Sequence, residues 1–130
     1  MGVTVLLDTH TLLWALVSPR LLSQRARKTL SERSNTLLVS AASAWEIATK
    51  SRLGKLDEAE EIVAHYADHL RTLDAQEVPI TSEHALAAGL FDAAHRDPFD
   101  RMIAAQAHFL GIPVVTKDPA FKDFPCRTLW

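Results

Sequence analysis

The stretch VTVLLDTHTLLWALV, Val3–Val17, decides how the chain is read. Val3 to Leu7 is a short continuous apolar run rich in β-branched residues, the pattern of a strand buried on both faces. Residues 9–17 read as a helix, stopped at Ser18-Pro19. Between the two stands Asp8, a carboxylate in an aliphatic run. Directly after a strand, it suits the N-cap of the next helix. A carboxylate that carries chemistry would stand in the same place.

The remainder repeats the alternation. Ser23 to Arg33 reads as a helix with Ala26 and Leu30 apolar, and NTLLVS (Asn35–Ser40) as a second buried strand. ASAWEIATKSRLG is helical and ends at Gly54, a natural C′ residue. A long amphipathic helix is expected from Asp57 to Leu73, with Ile62, Val63, Tyr66 and Leu70 on one face. QEVPI is a short strand, and residues 82–93 form an alanine-rich helix. HRDPFDRMIAAQAHFLG gives a helix closing on Gly111, IPVVT a strand, and CRTLW a last edge strand. Strands alternating with helices through short loops predict an α/β fold, with a mainly parallel sheet of four to five strands. No repeat or linker interrupts residues 1–130, so a single domain is expected.

Composition narrows the function classes. Hydrophobic residues make up 48% and charged residues 23%, ordinary for a globular protein. The single cysteine, Cys126, rules out an intramolecular disulfide framework and suits a reducing compartment. The N-terminus lacks the basic region of a secretory signal, and no stretch approaches the about 20 apolar residues that span a bilayer. A cytoplasmic protein without membrane contact is expected. A net charge of −2 gives no whole-molecule field for nucleic acid. Local basic clusters exist, among them Lys50 with Arg52 and Arg96 with Arg101, and each alone reads as a solvated helix face.

Four acids stand at helix starts, and each has a structural explanation. Asp8 is one. Ser43-Ala44-Trp45-Glu46 fits an S-x-x-E capping box. Asp97-Pro98 reads as N-cap plus N1 proline, which puts Asp100 at N3. Asp118-Pro119 reads as a turn or cap. In a parallel sheet, however, every strand points the same way, so residues just beyond strand ends and the helix starts that follow gather along one edge. The geometry that makes these acids caps also brings them to one place. Clustered carboxylates repel and take up protons unless a cation joins them. Oxygen ligands without cysteine or histidine suit Mg²⁺ or Mn²⁺. Such an ion attracts a phosphate, activates a water and stabilises a pentavalent phosphorus transition state, with Lys50, Arg52, Arg96 and Arg101 on flanking phosphates. The chemistry implied is metal-assisted phosphodiester hydrolysis.

The blocks LLDTHTLLWAL, SAASAWEIATKSRLGKL, HRDPFDRMIAAQA and IPVVTKDPAF resemble the PIN domain, and more narrowly the VapC-type toxins of bacterial type II toxin–antitoxin modules. The resemblance runs from Val3 to about Phe121, with the motifs in the family's order. It implies a PIN-like α/β/α sandwich and an Mg²⁺- or Mn²⁺-dependent endoribonuclease acting as a toxin. Asp8, Glu46, Asp100 and Asp118 match the family's acidic quartet, catalytic and metal-binding at once. Asp97 matches an additional acid, either cap or metal contact. Thr9 and Thr116 match hydroxyl positions beside the site that orient carboxylates, water or substrate phosphate. The partners implied are an RNA substrate, a second copy in a homodimer, and a cognate antitoxin whose C-terminal segment occupies the active-site groove.

Two other readings compete for the same residues. A haloacid-dehalogenase-type phosphatase carries D-x-D-x-T after its first strand, but here His10 replaces the second aspartate of Asp8-Thr9-His10-Thr11. A receiver-like, non-catalytic acid-pocket module wants a phosphoacceptor aspartate after a middle strand, and Thr81-Ser82 follows Val78-Pro79-Ile80 instead. His65 and His69 stand at i, i+4 but lack the glutamate of H-E-x-x-H, so they read as solvent-facing. His10 is read as packing. Trp14, Trp45 and Phe99 are read as core aromatics rather than base-stacking ones, and Cys126 as a small buried hydrophobe.

Overall fold

The computed structural model describes residues 2–130. Five strands, β1 (Thr4–Leu7), β2 (Thr36–Ser40), β3 (Ala75–Val78), β4 (Val114–Val115) and β5 (Thr128–Leu129), form one sheet in the order β3-β2-β1-β4-β5. All four pairings are parallel. Seven α-helices flank the sheet: α1 (Thr9–Val17), α2 (Gln24–Ser31), α3 (Ala41–Arg52), α4 (Ala59–Ala64), α5 (Tyr66–Thr72), α6 (Ser82–Leu90) and α7 (Pro98–Leu110).

Side chains alternate across the central strands and divide the core in two. Val5, Leu7, Leu37, Val39 and Val115 face one layer with Leu12, Leu13, Ile47, Ile62 and Leu70 from α1, α3, α4 and α5. Leu6 and Val114 face the other, with Ile103, Ala104 and Ala107 of α7 and with Phe121 and Phe124. Val5, Leu6 and Leu7 are therefore fully buried, as a continuous apolar run requires. The sheet runs outward from β1 in both directions, to β2 and β3 on one side and to β4 and β5 on the other. The gap beyond the carboxyl ends of β1 and β4 is the topological switch point, where α/β folds place their sites.

Several expected elements shift. The helix expected over Asp57–Leu73 is two helices, because the backbone leaves the helical region at His65 (φ −126°, ψ 33°). The break lets Ile62 and Leu70 reach the same core while Val63 turns outward. The helix expected to end at residue 93 ends at Leu90, capped at its start by a Thr81–His84 capping box. α7 closes on Gly111 in the left-handed conformation (φ 67°), as its C-terminal glycine anticipates. Among the described residues, no helix is long and apolar enough to cross a membrane.

Candidate active site at the carboxyl edge of the sheet

Asp8 leaves β1 in extended conformation and caps α1, its Oδ1 accepting from the His10 N–H at 3.3 Å. It is also buried, 3% exposed, and its Oδ2 accepts from the Thr116 hydroxyl at 2.6 Å. Thr116 follows β4, so this bond spans the switch point. Burial raises the Asp8 carboxyl above its ordinary range, against the Thr116 bond and His10, and the charge of Glu46 adds to the rise. Asp8 is thus a helix cap and a buried carboxyl at once. An exposed cap would not be held this way.

Glu46 arrives differently from its expected capping box. β2 ends at Ser40, whose hydroxyl accepts from the Ala42 N–H and starts α3 three residues before Ser43. Ser43 lies inside the helix, buried, with its hydroxyl 2.9 Å from that of Thr9. Glu46 therefore sits in the second turn, too far along to reach the N-cap. Its Oε2 lies 2.8 Å from Lys50 Nζ, and its buried Oε1 has no hydrogen-bond partner. Thr9 is fully buried, so its hydroxyl braces α1 against α3 rather than meeting a substrate phosphate.

Asp97 is the N-cap of α7, its Oδ1 accepting from the N–H groups of Phe99 (2.8 Å) and Asp100 (3.1 Å). Asp100 turns inward, with Oδ2 2.7 Å from His95 Nε2. Burial pushes its carboxyl up to about 6; the His95 bond opposes this, while the charges of Asp97, Asp8 and Glu46 add to it. His95 is raised in turn, chiefly by its bond to Asp100, and by the charges of Asp100, Asp97 and Asp118. The fourth acid, Asp118, is exposed; it caps the turn after β4 through Ala120 and donates its N–H to Thr116 Oγ1. Asp8 and Asp118, with His10, Trp14, Lys117 and Pro119, line a cleft of about 340 Å³.

The basic residues separate. Arg101 does not face the site: its guanidinium donates to the carbonyls of Ala88, Phe91, Ala93 and His95 at 2.6–3.1 Å. Ala88 belongs to the last turn of α6, and Phe91, Ala93 and His95 to the segment between α6 and α7, where carbonyls without a ladder need donors. Lys50 is spent on Glu46, while Arg52 and Arg96 are exposed. His10, expected to pack, is exposed at the lip of the cleft, its ring 6.0 Å from that of Trp14. Trp45, expected in the core, is 61% exposed. His69 pairs with Glu61, far from any cluster of ligands. His95, which the H-R-D-P-F-D spacing sets close to the acids, pairs with Asp100, and Lys117, at the cleft beside Asp118, is the residue that no sequence signal marks.

The donor set fits a hard divalent cation. It is built of carboxylate oxygens, one of them buried without a partner, and the carboxyls of Asp8 and Asp100 are held partly towards the protonated form by burial and mutual repulsion. Among the described residues, no three His, Cys, Asp or Glu side chains already converge in ligating geometry. Lys50 on Glu46 supplies positive charge to the acids, and His95 is hydrogen-bonded to Asp100.

Residues 5–125 match the model of the PIN domain. The chain belongs to the PIN-domain family. It is 35% identical over 119 residues to Ribonuclease VapC22 of Mycobacterium tuberculosis, covering 88% of this chain and 87% of that protein. It is 37% identical to Ribonuclease VapC16 of the same organism over 70 residues, about half of each chain (52% and 48%). Its PIN fold superposes on VapBC2 from Rickettsia felis, crystallised with a promoter DNA fragment, with a TM-score of 0.71 at 16% identity, covering 97% of both chains. FitAcB from Neisseria gonorrhoeae gives a TM-score of 0.68 at 17% identity, covering 97% of this chain and 96% of that one.

Proposed function

We propose that this PIN-domain protein is an endoribonuclease that uses Mg²⁺ or Mn²⁺, and the toxin of a toxin–antitoxin pair. One observation carries the reading: a buried Asp8 tied across the switch point to Thr116, with Glu46, Asp97 and Asp100 close enough to act on one another's charge. The relatives named ribonucleases support the reaction class. Asp8, Glu46, Asp100 and Asp118 would hold the ion, and Asp97 holds the start of α7 that presents Asp100. When bound, such an ion supplies an activated water and offsets charge developing on the phosphoryl group. Thr116 fixes the Asp8 carboxylate at its Oδ2. With an ion held by these carboxylates, Lys50 and His95 would be free to face flanking phosphates, and the exposed Arg52, Arg96 and Lys117 would be available to others.

The partners follow the same reading. Single-stranded RNA is the substrate, and an antitoxin segment carrying a basic side chain fits a groove whose acids already accept Lys50 and His95. A homodimer in the cytoplasm is the expected state. PIN membership leaves the phosphatase and receiver-like alternatives without a supporting observation. The deciding experiment incubates purified protein with total RNA in Mn²⁺, Mg²⁺ or chelator and maps the cleavage ends. Metal-dependent cuts that vanish with Asp8→Asn are expected. Equal cleavage in chelator, or by the Asp8→Asn protein, overturns the assignment.

A further inference from the structure

α3 buries the wrong face by ordinary standards. Its buried positions are Ala42, Ser43, Glu46 and Ile47, while the outward stripe carries Trp45, Ala48 and Arg52, all exposed. A helix that shields a serine and a glutamate and presents its tryptophan inverts the usual amphipathic arrangement. Trp45 is held there by Phe99, edge to face, with ring centroids 4.6 Å apart and planes at 80°. Each ring belongs to the residue immediately before an acid: Trp45 precedes Glu46 on α3, and Phe99 precedes Asp100 on α7. The packing that joins the two acids therefore joins the two rings, and the turn of about 100° per residue sets the tryptophan at the rim where Glu46 points inward.

We propose that the outward face of α3 is a track for single-stranded RNA, with Trp45 stacking the nucleobase beside the cleaved phosphate and Arg52 taking a phosphate further along. This rests on the ribonuclease reading. The Trp45 ring packs on Phe99, the residue before Asp100, so it adjoins an acid that would hold the ion, and stacking on an aromatic ring needs an unpaired base. Arg52 lies seven residues on, on the same face and about 10 Å along the axis, and the exposed helix position between them is Ala48, Glu46 being turned inward. A ring followed by a cation along the outward stripe of α3 complements bases and phosphates, the acids Asp57, Glu58, Glu60 and Glu61 lying beyond the helix end, beside Ser51 and Gly54. A protein anchor would instead sit at the centre of an apolar patch, whereas Trp45 adjoins the buried Glu46 in the chain and, through Phe99, Asp100. Phe99 fixes the ring beforehand, so little rotamer freedom is lost when a base arrives.

The test uses oligoribonucleotides carrying one cleavage site and, in turn, an abasic residue at each flanking position. Loss of one stacked base raises KM about tenfold with little change in kcat. One abasic position and Trp45→Ala are each expected to do this, without adding when combined, while Trp45→Phe restores most of the affinity. Arg52→Gln is expected to raise KM more at low salt than at high salt. Unchanged KM in Trp45→Ala on RNA that the native protein cleaves overturns the track alone. So does a Trp45→Ala protein that loses self-association by light scattering but keeps its KM. A native protein that cleaves none of these RNAs in Mn²⁺ overturns the ribonuclease reading itself.

Discussion

The two edges of the sheet differ more in what they hold than in their room. At the amino edge, before β2 and β3, lies the larger cleft, about 610 Å³, lined in part by Glu32, Arg33, Arg71 and Asp74. Those four side chains are exposed, and Arg71 pairs with Asp68 in water. At the carboxyl edge the cleft is smaller, about 340 Å³, but Asp8 is 3% exposed and Glu46 4% exposed. A parallel sheet is polar: its carboxyl edge receives helix N-termini, whose N–H groups and dipoles favour carboxylates. Charges are worth little when solvated and a great deal when desolvated and clustered. Concentrated buried charge, rather than volume, marks the site.

The largest expected effect separates the edges directly. Asp100→Asn should lower RNA cleavage by well over about a hundredfold, since even outer-shell partners of metal ligands are worth 10–100-fold. Arg71→Ala should leave the cleavage rate unchanged, and a loss there would break the contrast. Next comes Arg101→Ala, which strips donors from four carbonyls and should cost roughly 3 kcal/mol in urea denaturation. A fully stable Arg101→Ala protein with weakened RNA binding would return that residue to the phosphates.

A smaller effect lies in pH. Asp100 titrates at about 6 when folded, against 3.8 ordinarily, so between those values the folded state holds more protons than the unfolded. In chelator, its contribution to stability is therefore present below about pH 4 and is lost as pH rises through 6. The raised His95 acts in the same direction at higher pH. Melting curves of Asp100→Asn in chelator should be flatter across pH 4–6 than those of the native protein; an unchanged slope would sink this account. The smallest change belongs to the amino edge: Asp74 has φ 57°, and Asp74→Ala should cost about 1 kcal/mol of stability with cleavage intact.

What was legible in the sequence was legible for local reasons. Asp8, Asp97 and Asp118 stand next to strand ends or prolines, and capping is decided within three residues. Gly111 and the apolar runs of β1 and β2 are equally local. The helix break at His65 and the early end at Leu90 are local misreadings, but the errors at the candidate site turn mostly on neighbours distant in sequence. Ser43 looked like a cap until β2 was seen to end at Ser40 and Thr9 to take its hydroxyl. Hydrophobicity put Trp45 inside, but the acid cluster claims the inner face of α3. Arg101 looked like a phosphate ligand because nothing local reveals four carbonyls in need of donors.

The sequence by itself determined the strand–helix alternation and the caps at Asp8, Asp97 and Asp118, because each follows from hydrophobic period and side-chain reach over a few residues. The tertiary structure alone decided the order β3-β2-β1-β4-β5, and with it the bond from Thr116 to Asp8 across 108 residues. It also decided that Lys50 and His95 answer the acids and that a tryptophan stands outside. These depend on which buried charges must be met, and only the assembled sheet brings those charges together.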